Sequence, residues 1–280
     1  MPATATATAT APLPAAAYRF GQPPGPELLR EWVTAFHRDG FVFLQDVLPR
    51  ELCTRLREDY DRVSPTQNQP TECHTRMFET SQANLSLFEC EPVVTLAETL
   101  LGEDKTYGAE TCHVVHNNSF RTRDGGGWSG WHQDDSAHFL CTDDQPPTNI
   151  HLPVLLMTAN FYLTDQELPE HGPAQVIPGS HRFGKVPPHT LEGTQWESQI
   201  ATCAGLAGSV MVFNSQVWHR GSPNRSDRVR YVTQITYGRK SISHFYHPFM
   251  GYQMPEACQA WADTPRRRRL IGYLPSGPYG

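Results

Sequence analysis

Apolar positions in the first third of the chain recur at three- and four-residue intervals. Leu29, Trp32, Val33 and Phe36 form one such stripe, with Pro26 near its start and Gly40 at its end, and this spacing predicts an amphipathic helix. Phe41 to Leu44 is a continuous apolar run of strand length. Pro49 opens a second helical stripe that turns Leu52, Leu56, Tyr60 and Val63 inward. A third extends from about Pro92 to Leu101 and is stopped by Gly102, with Val93, Leu96, Ala97 and Leu100 inward. Beyond residue 105 the period changes. Short β-rich stretches at 107–116, 152–163, 174–178, 208–213 and 229–237 alternate with clusters of Gly, Pro, Asn and Asp. That rhythm favours an antiparallel sandwich or barrel over alternating βα units. Helices first and strands afterwards imply helices buttressing a closed double sheet.

Residues 1–17 are an Ala/Thr/Pro repeat that buries too little apolar surface to offset its ordering entropy, so they are expected to be a disordered tail. Residues 18–280 are expected to form one domain, with no internal repeat. A chain of this size buries about 75% of its unfolded surface, so its stability does not require a metal and any metal is available for chemistry. The tail has neither the basic start nor the apolar core of a secretory signal, and no apolar run approaches the roughly 20 residues of a membrane span. Cys53, Cys73, Cys90, Cys112, Cys141, Cys203 and Cys258 are odd in number, widely spaced and without a Cys-x-x-Cys, which argues against a disulfide framework and a zinc knuckle. Free thiols point to a reducing, cytoplasmic setting. With 23 Lys and Arg against 29 acids, a net charge of −6, the chain is a poor candidate for nucleic acid. Its one basic run, Arg266 to Arg269, reads as a solvated or interface-facing stretch, with anion binding as the alternative. A monomer or homodimer with a small-molecule partner is expected.

The candidate chemistry lies in a combination of residues, since no single one of 13 histidines is informative. Trp131-His132-Gln133-Asp134 follows the Gly125-Gly126-Gly127 turn. In an extended segment His132 and Asp134 project to the same face, so one imidazole and one carboxylate can grip one cation. A second β-rich run, Gly208 to His219, offers a third ligand in His219. Two His and one carboxylate are the facial triad of non-haem Fe(II) oxygenases. Three protein ligands leave about three positions of an octahedron, enough for a 2-oxo acid and O₂, whereas a structural zinc site would be closed by four. The far carboxylate of such an acid needs a clamp, and Arg228 and Arg230 share one face of the strand that follows His219. Either guanidinium can supply a bidentate contact, and either can be a structural ion-pair partner.

These segments resemble the phytanoyl-CoA dioxygenase family of Fe(II)/2-oxoglutarate oxygenases. The matching pieces are Trp131-His132-Gln133-Asp134, the string from His171 to His181 containing Val176-Ile177-Pro178-Gly179-Ser180-His181, and Trp218-His219 followed by Asn224 and Arg230. The likeness covers about residues 25–240. It implies a mainly β fold, a double-stranded β-helix (jelly-roll, cupin-like) core buttressed by the N-terminal helices. It also implies that His132, Asp134 and His219 bind Fe(II), that Arg230 grips 2-oxoglutarate with Arg228 in support, and that Asn160 is a second co-substrate contact. Members often carry a hydroxyl residue two positions after the distal His; this chain has Gly221 there, with Ser222 beside it. His181, in its Pro-Gly-Ser-His setting, is implied to be structural.

The implied reaction consumes 2-oxoglutarate and O₂, releases succinate and CO₂, and hydroxylates a C–H bond. Related halogenases lack the carboxylate at the Asp134 position, so halogenation is not expected here. A small specialised metabolite is the expected substrate by family analogy, and an acidic chain suits a CoA thioester poorly. Arg76, His74, His116, Trp128, Phe139 and the run His244-Phe245-Tyr246 are candidate pocket groups. Two other readings compete. A hydrolase with a metal-bound water would want a general base such as Asp135 or Glu170. A non-catalytic jelly-roll binding module would be expected to have lost a ligand or the arginine, and all four residues are present.

Overall fold

A computed structural model of the chain describes residues 20–64, 69–103, 112–127, 130–142, 147–149 and 151–274. The expected tail at 1–17, the first part of the 107–116 stretch and Trp128 lie outside the described residues.

The three expected helices form where the stripes place them. α1 spans Pro26–Asp39 and buries Trp32 and Phe36. It ends at Gly40, whose φ of +83° lets the chain turn straight into β1 (Phe41–Leu44). α2 spans Arg50–Val63 and buries Cys53, Leu56 and Tyr60, while Leu52 and Val63 are only half-buried, so its inner face is rotated from the expected one. β2 (Thr71–Thr75) and the short α3 (Gln82–Ser86) follow, then α4 (Val93–Leu101), buried on nearly all sides. The remaining elements are β3 (His113–Thr122), β4 (Leu156–Tyr162), β5 (Ala174–Val176), β6 (Ala201–Cys203), β7 (Val210–Asn214), β8 (His219–Gly221), β9 (Arg230–Gly238), α5 (Glu256–Trp261) and α6 (Pro265–Leu270).

The strands form two antiparallel sheets, one ordered β1-β7-β4-β9-β3-β2 and the other β6-β5-β8. Side-chain alternation divides the large sheet cleanly. Val42 and Leu44 of β1, Met157, Ala159 and Phe161 of β4, and Val210 and Val212 of β7 pack with the helices in the main core. Phe41, Tyr162, Met211 and Phe213, one residue out of step, pack with Ala174, Val176 and Cys203 of the small sheet in a second core. The helices thus cover one face of the large sheet and the small sheet covers the other. The result is the cupin-like double-stranded β-helix with buttressing N-terminal helices. β7 is buried on both faces, which explains why its sequence is continuously apolar rather than alternating.

The arginine run is spent on ion pairs within the chain. Arg266 reaches Glu98 at 2.7 Å and Glu91 at 2.8 Å; Arg267 pairs with Glu89 and Asp263, and Arg269 with Glu98. These contacts pin α6 to the α4 region, which neither of the two readings of that run anticipated. No described helix is long and apolar enough to cross a membrane.

His181 ties the helical layer to the sandwich. Its Nε2 donates to the His37 carbonyl at 3.1 Å, one of the last-turn carbonyls that α1 cannot satisfy itself. A methyl group at Gly40 would lie 2.5 Å from its Nδ1. Burial pushes the His181 pKa down to about 4. Its folded-state value lies below the unfolded one of 6.5, so its contribution is complete above pH 6.5 and lost as pH falls towards 4. Denaturant titrations of the wild type and His181→Gln at about pH 7.5 and pH 5 should show a fall larger by about 2 kcal/mol in the wild type. Equal falls would contradict this role for His181.

Candidate metal centre and co-substrate pocket

The centre begins with one rung of antiparallel backbone. The His132 amide donates to the His219 carbonyl at 3.0 Å, and the His219 amide donates to the His132 carbonyl at 2.9 Å. Opposed residues in such a pair project to one face, and the two imidazole centroids lie 4.3 Å apart. Val176 of β5 holds the other edge of His219 in register, so the rung extends the small sheet. Two residues past His132, Asp134 returns to the same face, its amide donating to the Ser215 carbonyl at 2.9 Å. Asp134 Oδ1 lies 3.3 Å from His219 Nε2 and 3.9 Å from His132 Nε2.

The hydrogen bonds decide which atoms face the centre. His132 Nδ1 is 3.0 Å from the Gly130 carbonyl, and His219 Nδ1 is 3.0 Å from the Val217 carbonyl. A carbonyl only accepts, so both Nδ1 atoms carry hydrogens and each ring turns its Nε2 towards Asp134. Thr158, on the cavity face of β4, donates to Asp134 Oδ2 at 3.2 Å and is itself 3.1 Å from the Thr236 hydroxyl opposite it. With the Thr158 hydrogen committed to the carboxylate, Thr236 must be the donor of the second bond. One carboxylate oxygen is thereby anchored and the other faces the imidazoles.

Electrostatics follow from this packing. Desolvation works against the Asp134 anion, but the His219 ring beside it holds the pKa below the usual carboxylate value. Burial likewise opposes charge on His219, yet Asp134 outweighs it and raises that pKa. His132, opposed by burial and by the neighbouring ring, is lowered. An anion and two imidazoles whose donor atoms all lie within 4.8 Å of one another could hold a metal ion, and the N₂O donor set fits iron.

These residues open into a cavity of about 380 Å³ between the sheets. Asn118, Phe120 and Thr122 face it from β3, Asn160 and Tyr162 from β4, and Arg230, Val232 and Gln234 from β9. Each set alternates by two, as strand side chains must. Arg230 Nη1 donates to the Ser222 carbonyl at 2.8 Å and to the Gly172 carbonyl. Gly172 has φ +73°, and a methyl there would lie 2.7 Å from the Ser222 carbonyl and collide with the guanidinium. Burial pushes the Arg230 pKa down to about 10, so it remains a cation at neutral pH, and no ion pair to a described carboxylate neutralises it. Asn160 Oδ1 is buried without a hydrogen-bond partner. The Arg230 cation fits a carboxylate ligand, which Asn160 could meet only through its amide N–H, because its unpartnered oxygen accepts.

The structure separates the two arginines: Arg230 lines the cavity, whereas Arg228 is exposed. Gly221 lines the cavity, but the Ser222 hydroxyl donates to the Pro173 carbonyl at 2.5 Å and is committed to the backbone. Neither base considered for a hydrolase lines the cavity. Asp135 pairs with His138 at 2.9 Å, and Glu170 lines a separate hollow with Arg225. The expected pocket groups among the described residues are also placed elsewhere. Arg76 donates to the His247 carbonyl, His74 lies against Tyr60, Phe139 packs on Gly184 and Tyr246 is core. His244 stacks on Tyr246, and Phe245 meets the His116 ring. His116 reaches the cavity only through Asn118, which it contacts at 2.9 Å. Aromatic and charged type was a poor guide. Counting by two from Arg230 and Asn160 would have named Val232, Gln234 and Tyr162.

The family model of phytanoyl-CoA dioxygenase (PhyH) matches residues 36–232. Among solved structures, HygX from Streptomyces hygroscopicus with nickel and 2-oxoglutarate bound is similar, with TM-score 0.59, 16% identity, 81% of this chain covered and 95% of that chain. The epimerase SnoN in complex with Fe³⁺, α-ketoglutarate and nogalamycin RO is similar at TM-score 0.60 and 17% identity, over 82% of this chain and 94% of that one. At these identities the likeness speaks to the fold, and the family rests on the match across well over half of the chain. This chain belongs to the phytanoyl-CoA dioxygenase (PhyH) family and is a 2-oxoglutarate-dependent non-haem iron enzyme.

Proposed function

We propose that His132, Asp134 and His219 hold Fe(II), that Arg230 with Asn160 binds 2-oxoglutarate, and that the enzyme hydroxylates a C–H bond of a small specialised metabolite. The observation that carries the metal assignment is the pair of Nδ1–H···O=C bonds, which turns both Nε2 atoms towards one carboxylate oxygen. When bound, iron with 2-oxoglutarate and O₂ supplies the oxidising power for an unactivated C–H bond, and the protein supplies position. The rung fixes the imidazoles, Thr158 fixes the carboxylate, and β3, β4 and β9 wall the cavity beside them. Arg230 offers charge-assisted hydrogen bonds to the distal carboxylate, and Asn160 offers a further polar contact beside it.

A small, largely uncharged substrate fits the neutral side chains Asn118, Gln234 and Phe120 on the cavity wall. Related structures hold hygromycin B in HygX and nogalamycin RO in SnoN, which supports a specialised metabolite here by analogy. Screening a small-molecule library for succinate release in the presence of Fe(II), 2-oxoglutarate and O₂ tests the reading. A hit whose product gains one oxygen supports it, and substrate conversion that needs neither O₂ nor 2-oxoglutarate contradicts it.

Arg230→Ala should raise the Kd for 2-oxoglutarate by about 10- to 100-fold, the loss of a charged hydrogen bond worth 1.5–3 kcal/mol, while Arg228→Ala should change it less than about twofold. Calorimetry with both variants checks this, and equal effects would return the assignment to either arginine. Thr158→Val should weaken Fe(II) binding by about 10- to 100-fold, and Thr158→Ser should restore it. An unchanged iron affinity in the valine variant would remove Thr158 from the support of Asp134.

A further inference from the structure

A second group of metal-ligating side chains converges on the outside of the helical layer. His37 stands in the last turn of α1, Glu103 just past the end of α4, and His151 on the segment entering β4. His37 Nε2 lies 2.6 Å from Glu103 Oε1, and His151 Nε2 lies 3.3 Å from Glu103 Oε2. The two rings are in contact, centroids 4.5 Å apart. All three ligand atoms lie within 4.8 Å of one another. None of the three lines the cavity of the iron centre.

We propose that His37, Glu103 and His151 form a second, peripheral site for a divalent transition metal such as Zn²⁺. Two imidazole nitrogens and one carboxylate oxygen are a borderline donor set, which selects zinc and its first-row neighbours over Mg²⁺ or Ca²⁺. Zinc binds such donors at about 2.0–2.2 Å, and a tetrahedron of that size separates its donors by about 3.4 Å. The His151 contact already has that spacing. The shorter His37 contact is a hydrogen bond whose proton the metal would replace, with a modest swing of the Glu103 carboxylate. Water completes the tetrahedron on the side where His151 is open, its side chain 64% exposed against 22% for His37 and 23% for Glu103.

The ligands differ in rigidity in a way that suits such a site. His37 sits on a helix whose own carbonyl is fixed by His181, and Glu103 follows the buried α4, so two ligands are anchored. His151 is the adjustable one. An ion held there would fasten α1, α4 and the entry to β4 together and add to stability by mass action.

Equilibrium dialysis of the chelator-stripped full chain against ZnCl₂, read by metal analysis, tests this independently of turnover. The wild type should take up two equivalents with Kd at or below about 10 μM. His151→Ala, an exposed position that leaves the core intact, should keep only one, as should Asp134→Ala, and the double variant should keep none. The zinc-dependent rise in Tm should survive in Asp134→Ala and disappear in the double variant. Zinc uptake that His151→Ala leaves unchanged would overturn the second site and leave the three groups as a hydrogen-bonded trio. Two equivalents in Asp134→Ala would instead count against the iron centre.

Discussion

A single rung of β-ladder, the reciprocal amide–carbonyl bonds between His132 and His219, sets the position of everything at the centre. Backbone pairing is the stiffest way to bring two residues 87 positions apart to one point, because it fixes the peptide planes before any side chain is placed. The side-chain torsions are then restrained by each Nδ1 bonding to the carbonyl two residues earlier. The two-residue period of extended chain returns Asp134 to the same face. The imidazoles and the carboxylate are therefore preorganised largely by main-chain geometry, with Thr158 and Thr236 bracing the carboxylate and the Phe213 ring packed against His219.

Burying a cation such as Arg230 inside a β-sandwich is unfavourable unless hydrogen bonds compensate it. Two carbonyls, Gly172 and Ser222, do part of this on one edge of the guanidinium, and the glycine turn lets the backbone come that close. Burial nevertheless holds the Arg230 pKa below its usual value. A dianionic co-substrate would supply the missing charge; the unpartnered Asn160 oxygen beside it needs a donor instead. The helical layer contributes indirectly. It seals the far face of the large sheet, so that β4 and β9 can present polar side chains to the cavity while their alternate residues remain in a dry core.

Strong local periodicity made the helices and the apolar strands legible in the sequence. Gly40, Pro49 and Gly102 marked their ends because backbone conformation and side-chain chemistry agree there. The three-residue strands β5, β6 and β8 are too short to carry a period, and of these only β5 fell within an expected stretch. β2 escaped notice because its pattern, Thr71-Glu72-Cys73-His74-Thr75, turns a glutamate inward to pair with Arg121. The candidate triad could be picked out from residue type and spacing, while preferring Arg230 to Arg228 as the proposed clamp needed the family resemblance and then the register of β9. The cavity wall was expected in residues of conspicuous chemistry. The actual wall is made of Asn118, Phe120, Val232 and Gln234, ordinary residues distinguished only by which face of a strand they occupy.

Anaerobic titration of the purified chain with Fe(II) in the presence of 2-oxoglutarate, followed by visible absorption, addresses the central claim most directly. A facial triad with a chelated keto acid predicts a weak charge-transfer band that saturates at one iron per chain and is absent from a folded Asp134→Ala variant. A folded, iron-loaded wild type without the band, or a band that survives in Asp134→Ala, would contradict it.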